Sequence, residues 1–161
     1  MHAFVTSRVD YCNVVCAGAP KTVTDKLQRV LNAAARVVSD TRKFDLGLTS
    51  LLHDELHWLD VPERVTYKIV VMMYRCLHGQ APRYLADHFT TSSDVASRLR
   101  LRSTNRHQLI VPRCRLNTYG RRAFLIAGPT VWNSLPDELR DPACGSDSFK
   151  QFLKTILFSL K

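Results

Sequence analysis

From Val95 to Pro136 the chain contains no acidic residue and no lysine, yet it holds eight arginines. They are Arg98, Arg100, Arg102, Arg106, Arg113, Arg115, Arg121 and Arg122. With no opposing charge, this stretch carries +8 of the formal net charge of +9. A solvated helical face mixes signs to relieve self-repulsion; nothing relieves it here, so an anionic partner is the natural complement. Other absences narrow the chemistry. No apolar run approaches the length needed to cross a bilayer, so no membrane partner is expected. There is neither a P-loop nor a glycine-rich dinucleotide fingerprint. No two aspartates stand adjacent, and no carboxylate cluster suggests a two-metal polymerase or nuclease site. Serine, cysteine and histidine occur in no arrangement that pairs a nucleophile with a base. The sequence therefore predicts no catalytic residue, no cofactor, no bound metal and no small-molecule substrate.

What is present points one way. The 161 residues fit one domain, and 45% hydrophobic content is enough to bury a core. A pI near 9.7 suits a nucleic-acid-associated protein. Arginine rather than lysine matters, because the planar guanidinium meets phosphate bidentately and stacks on bases. His107, Tyr119, Phe124 and Trp132 are the candidate stacking groups, although Trp132, between Pro129 and Pro136, reads better as a buried anchor. Cys16-Ala17-Gly18-Ala19 imitates a signal cleavage site, but Arg8 and Asp10 interrupt the would-be apolar core. A nuclear or cytoplasmic, non-secreted chain is expected, with its five cysteines (Cys12, Cys16, Cys76, Cys114 and Cys144) as reduced thiols.

The first half reads as helices. One pattern runs from Met1 to Cys16 and ends at Gly18 and Pro20. A second starts near Thr22, with a threonine cap, and places Leu27, Val30, Leu31, Ala34, Val37 and Val38 on one stripe. A short helix through Leu51 and Leu56 follows. Asp60-Val61-Pro62-Glu63 opens the best-signalled helix with a capping-box pattern, and Gly79 closes it. Its buried side should include Ile69, Met73 and Leu77, with Leu27 and Leu31 buried on the preceding helix. Pro82 begins one more turn. Leu109-Ile110-Val111 before Pro112 could be an edge strand, and Arg121 to Ala127 a short helix stopped by Gly128-Pro129. Phe149, Phe152, Leu153, Ile156, Leu157 and Leu160 predict a last helix from about Ser148. The fold class is mainly α, with one or two short strands in an irregular segment and an amphipathic helix at the end. Residues 1–89 form the helical part, 90–107 a polar and basic linker, and 108–161 an arginine-rich extension.

His53 and His57 stand four apart, but the glutamate falls one residue late for a metalloprotease motif. Cys12 and Cys16 share that spacing without a second ligand pair and suit core packing. More specific are the ordered strings Asp10-Tyr11-Cys12-Asn13, Leu27-Gln28-Arg29-Val30-Leu31-Asn32-Ala33-Ala34-Ala35-Arg36, Leu56-His57-Trp58-Leu59 and Leu77-His78-Gly79-Gln80-Ala81-Pro82-Arg83-Tyr84-Leu85. Val111-Pro112-Arg113, Tyr119-Gly120-Arg121-Arg122-Ala123-Phe124, Trp132-Asn133-Ser134-Leu135-Pro136 and Phe149-Lys150 continue the series. In this order they closely resemble the carboxyl-terminal, thumb and post-thumb segment of jockey-like, LINE-type (non-LTR) retrotransposon reverse transcriptase polyproteins. The resemblance covers essentially the whole chain.

That resemblance implies a parent RNA-directed DNA polymerase that copies element RNA into DNA at a nicked chromosomal target. The matched segment follows the palm: its opening helices look like a thumb that grips the primer-template duplex, and the rest is an extension. The family's metal-binding aspartates belong to a palm motif ending in two adjacent aspartates. This chain has no counterpart, so no catalytic residue carries over and polymerase activity of the chain alone is not expected. The implied partners are RNA and DNA, contacted through their backbones by the arginines, together with the rest of the polymerase. The chain begins inside the thumb and looks like a truncated element copy. A helical protein-interaction module, in which the arginines only steer, is the alternative.

Overall fold

A computed structural model describes residues 2–42, 44–94, 107–114 and 120–159. Among them the chain forms seven α-helices: α1 (His2–Asp10), α2 (Lys21–Ser39), α3 (Leu48–Ser50), α4 (Val61–Leu77), α5 (Arg83–Ala86), α6 (Phe124–Asn133) and α7 (Ser146–Ser159). Helix α3 runs directly into a π-helical turn, Leu51–Glu55. No described helix is long and apolar enough to cross a membrane.

Helix α4 is the centre. Val61, Val65, Ile69, Val70, Met73, Tyr74 and Cys76 are buried along it, at spacings that cover more than one face. Leu31 on α2 is buried as expected, whereas Leu27 and Leu77 are only partly buried at the edges of the core. Each aliphatic side chain fully buried here contributes about 1.5–3 kcal/mol. The apolar interior has two parts. One gathers Val65 to Tyr74 of α4 with Leu109, Trp132, Phe149, Leu153 and Leu157; the other gathers Val9, Leu31, Ala35, Leu52, Trp58 and Val61. Tyr74 stacks on Phe149 with ring centroids 4.3 Å apart, and its hydroxyl donates to the Cys144 carbonyl at 2.7 Å.

The capping differs from the sequence expectation. Asp60 precedes α4 but makes no side-chain cap. Gln28 of α2 does the work instead: its Oε1 accepts the Val61 N–H at 2.8 Å, and its Nε2 donates to Asp60 and to Asn32, each at 2.9 Å. Asp60 is thereby a partner of the neighbouring helix rather than of its own amides. Helix α2 starts at Lys21 behind Pro20, again without a side-chain cap, and the Thr24 hydroxyl donates to the Lys21 carbonyl at 2.9 Å. Gly79, at φ +66°, ends α4 as its sequence position implied.

Three elements expected from the sequence change form. The helix expected over 1–16 stops at Asp10; Cys12 turns left-handed at φ +52° and Asn13–Cys16 becomes a 3-10 turn. Arg64 Nη1 fixes this end by donating to both Asp10 carboxylate oxygens at 3.0 Å. Gly128-Pro129 does not stop a helix but lies inside α6. Pro129 costs one helical bond, and its burial together with Ala127 and Gly128 offsets that. A Cβ on Gly128 would stand 2.5 Å from Met73 Sδ, so the glycine is what lets α6 press onto α4.

No strand forms among the described residues. A single antiparallel bridge joins Thr91 to Leu109, through Ile110 N–H to Thr90 O at 3.0 Å and Ser92 N–H to Gln108 O at 2.8 Å. Pro112 has no N–H for the next rung. On the other edge, Asn133 takes the place of a neighbouring strand: its Oδ1 accepts the Leu109 N–H and its Nδ2 donates to the Leu109 carbonyl, both at 2.8 Å.

Candidate nucleic-acid interface

Three of the eight arginines fall within the described residues. Arg113 is exposed on the segment that follows Leu109. Arg121 is exposed in the 3-10 turn Gly120–Arg122 that leads into α6. Arg122 is half-buried, and its Nη2 donates to the Val15 carbonyl at 3.1 Å, tying this turn to the 3-10 turn after α1. One guanidinium edge is thus committed to holding the fold. Arg98, Arg100, Arg102, Arg106 and Arg115 lie outside the described residues, as does Tyr119.

Of the expected stacking groups, two belong to the core. Trp132 is 2% exposed, and its Nε1 donates to the His107 carbonyl at 3.2 Å. Phe124 is half-buried and meets Phe89 edge-on at 5.6 Å. The buried Trp132 ring is closed to a base. His107 remains exposed, at φ +49°.

Arg121 borders an open groove of about 720 Å³. Its walls are the first half of α4, one face of α6, the 16–19 turn that leads into α2, and the segment 111–114. Among the described residues, Lys21 and Arg121 are the two cations of the lining and no carboxylate borders it. Arg113 sits between the lining residues Pro112 and Cys114. The fold therefore places Arg121 at this depression and Arg113 on the segment that forms one of its walls. Lys21, far away in sequence and outside the arginine-rich stretch, joins them only because the turn before α2 packs beside α4 and α6.

Three other cations are paired with carboxylates, which the charge pattern alone does not mark. Arg64 is held by Asp10 at 3.0 Å, Lys150 by Asp147 at 3.2 Å, and the buried Arg140 by Asp137. His53 approaches Asp60 at 3.5 Å, while His57, at φ +51°, turns its Nδ1 to the His53 carbonyl at 3.1 Å. The two rings thus face different partners. Among the described residues no three His, Cys, Asp or Glu side chains converge as metal ligands would. No protein-family model, curated protein or solved structure matches this chain.

Proposed function

We propose that the chain is a non-catalytic, nucleic-acid-binding segment of a non-LTR retrotransposon RNA-directed DNA polymerase, corresponding to its thumb and carboxyl-terminal extension. The carrying observation is the arginine series without a single opposing charge from Val95 to Pro136. The exposure of Arg113 and of Arg121, the latter bordering a groove with no carboxylate among its described lining residues, supports it. Such a surface neutralises phosphates without reading bases, so RNA and DNA are both bound with little sequence preference. The chemistry of synthesis would then reside in the rest of the polymerase, which supplies the metal-binding aspartates.

The test is anisotropy of labelled single-stranded and duplex RNA and DNA across a salt series. Affinity should fall linearly on a log–log plot, and each phosphate-contacting arginine changed to alanine should lower the slope by about one. Arg113→Ala and Arg121→Ala should each show that loss. Arg122→Ala should show less, because one of its bonds goes to Val15. If the folded quadruple variant at Arg113, Arg115, Arg121 and Arg122 keeps both affinity and salt slope, these arginines are not the contact surface.

One observation favours the alternative of a helical protein-interaction module. Val23, Val30 and Val37 recur every seven residues along α2, and Val30 and Val37 are 57% and 67% exposed. A salt-insensitive protein complex mediated by this stripe, with no nucleic-acid binding, would select that reading.

A further inference from the structure

The groove beside Arg121 has a chemistry of its own. Pro62, Val65, Thr66 and Ile69 form its α4 wall, at i, i+3, i+4 and i+7. That wall is about 10 Å long at 1.5 Å per residue, or two helical turns. Ile126, Ala127, Thr130 and Val131 of α6 form the facing wall. The three threonines that border the groove spend their hydroxyl protons locally: Thr24 donates to Lys21 O at 2.9 Å, Thr66 to Pro62 O at 3.1 Å and Thr130 to Ile126 O at 2.6 Å. The interior is thus mainly aliphatic and poor in free donors, and its volume of about 720 Å³ is that of a binding pocket.

We infer that this groove receives a short amphipathic helix of another protein, with aliphatic anchors in the floor and carboxylates beside Lys21 and Arg121. Charge decides the flank: among the described residues no lining carboxylate opposes Lys21 or Arg121. Among the described residues no aromatic ring lines the groove, so a nucleobase finds none there to stack on. An extended peptide adding to a sheet edge fits poorly. The Ile110 N–H is already bonded to Thr90, both Leu109 groups are bonded to Asn133, and Pro112 has no N–H. The occupant must satisfy its own backbone, and a helix does so.

The probe is a fluorescent designed helix of about 14 residues, with leucines at i, i+3, i+4 and i+7 and glutamates on its flanks. It should bind the full chain saturably. Thr130→Trp, which fills the groove from α6, should weaken binding by about tenfold or more while leaving the urea midpoint unchanged. Lys21→Glu with Arg121→Glu should weaken the glutamate-flanked helix and favour a lysine-flanked one. If Thr130→Trp does not fold, Thr66→Trp on the facing wall serves the same purpose. Absence of saturable binding, or unchanged binding in the tryptophan variant, overturns the assignment. So does displacement of the peptide by a short RNA whose own binding falls equally in Thr130→Trp, since the groove would then be a nucleic-acid site.

Discussion

At the scale of single residues, Asn133 carries more of the fold than its place in an ordinary turn-like string suggests. Leu109 is buried, and both its backbone groups depend on the Asn133 amide at 2.8 Å. Asn133→Ala leaves a buried N–H and a buried C=O unmet, so it should cost about 2–4 kcal/mol, read as a lower urea midpoint. Asn133→Asp should cost nearly as much, because a carboxylate can accept the N–H but repels the carbonyl. A change under about 0.5 kcal/mol in either variant, the range of ordinary surface substitutions, would show that water replaces the amide there. Trp132, one residue earlier, was legible: a large aromatic between two prolines reads as a buried anchor, and it is buried. Asn133 was not, because a side chain that serves a backbone 24 residues away leaves no local pattern. The same holds for Lys21 at the groove and for Gln28 at the start of α4.

At the scale of elements, period alone was enough for α4 and α7. Their apolar residues recur at helical spacing, so Ser146–Ser159 falls close to the predicted last helix. Period failed where tertiary contacts overrule it. Asp10 and Arg64 halt α1 early, and Met73 accepts Gly128-Pro129 within α6 where local rules place a stop. Pro112 and Asn133 reduce the apolar run Leu109-Ile110-Val111 to one bridge. Burial on α4 also has a titration consequence. It raises the Cys76 thiol above its ordinary 9.0 and the Tyr67 phenol above its ordinary 10.0, the latter partly opposed by Lys150 and Arg75. Both groups are neutral when protonated, so the folded chain holds these protons more tightly than the unfolded one. Their stabilising contribution is fully present below the unfolded values and is lost as pH rises through the folded ones. Urea midpoints should therefore fall above about pH 9. Cys76→Ala should flatten the first part of that fall and Tyr67→Phe the later part. Identical slopes in wild type and both variants would assign the alkaline loss to other groups.

At the scale of the whole molecule, the question is whether the two apolar clusters fold as one. Each contains one of the chain's two tryptophans, Trp58 with Leu31 and Trp132 with Phe149. Helix α4 supplies Val61 to the first cluster and Val65 to Tyr74 to the second, so a continuous hydrogen-bonded helix spans both. Arg122 on Val15 and Arg64 on Asp10 add polar ties between distant parts of the chain. A helix shared in this way cannot keep half its buried face once the other half is exposed to water. The clusters should therefore unfold together. Trp58→Phe and Trp132→Phe leave one fluorophore in each cluster, and their urea transitions should coincide after correction for each substitution's own cost. Phe149→Ala is the sharper test. Phe149 is fully buried and contacts Tyr74 and Trp132, so the variant should lose about 3–5 kcal/mol, a large share of a small domain's stability. In a single cooperative unit that loss shifts the Trp58 curve as far as the Trp132 curve, although Trp58 belongs to the other cluster. If only the Trp132 curve moves, the chain consists of two units hinged on α4, and the arginine-bearing part could then be ordered or released independently of the helices before it.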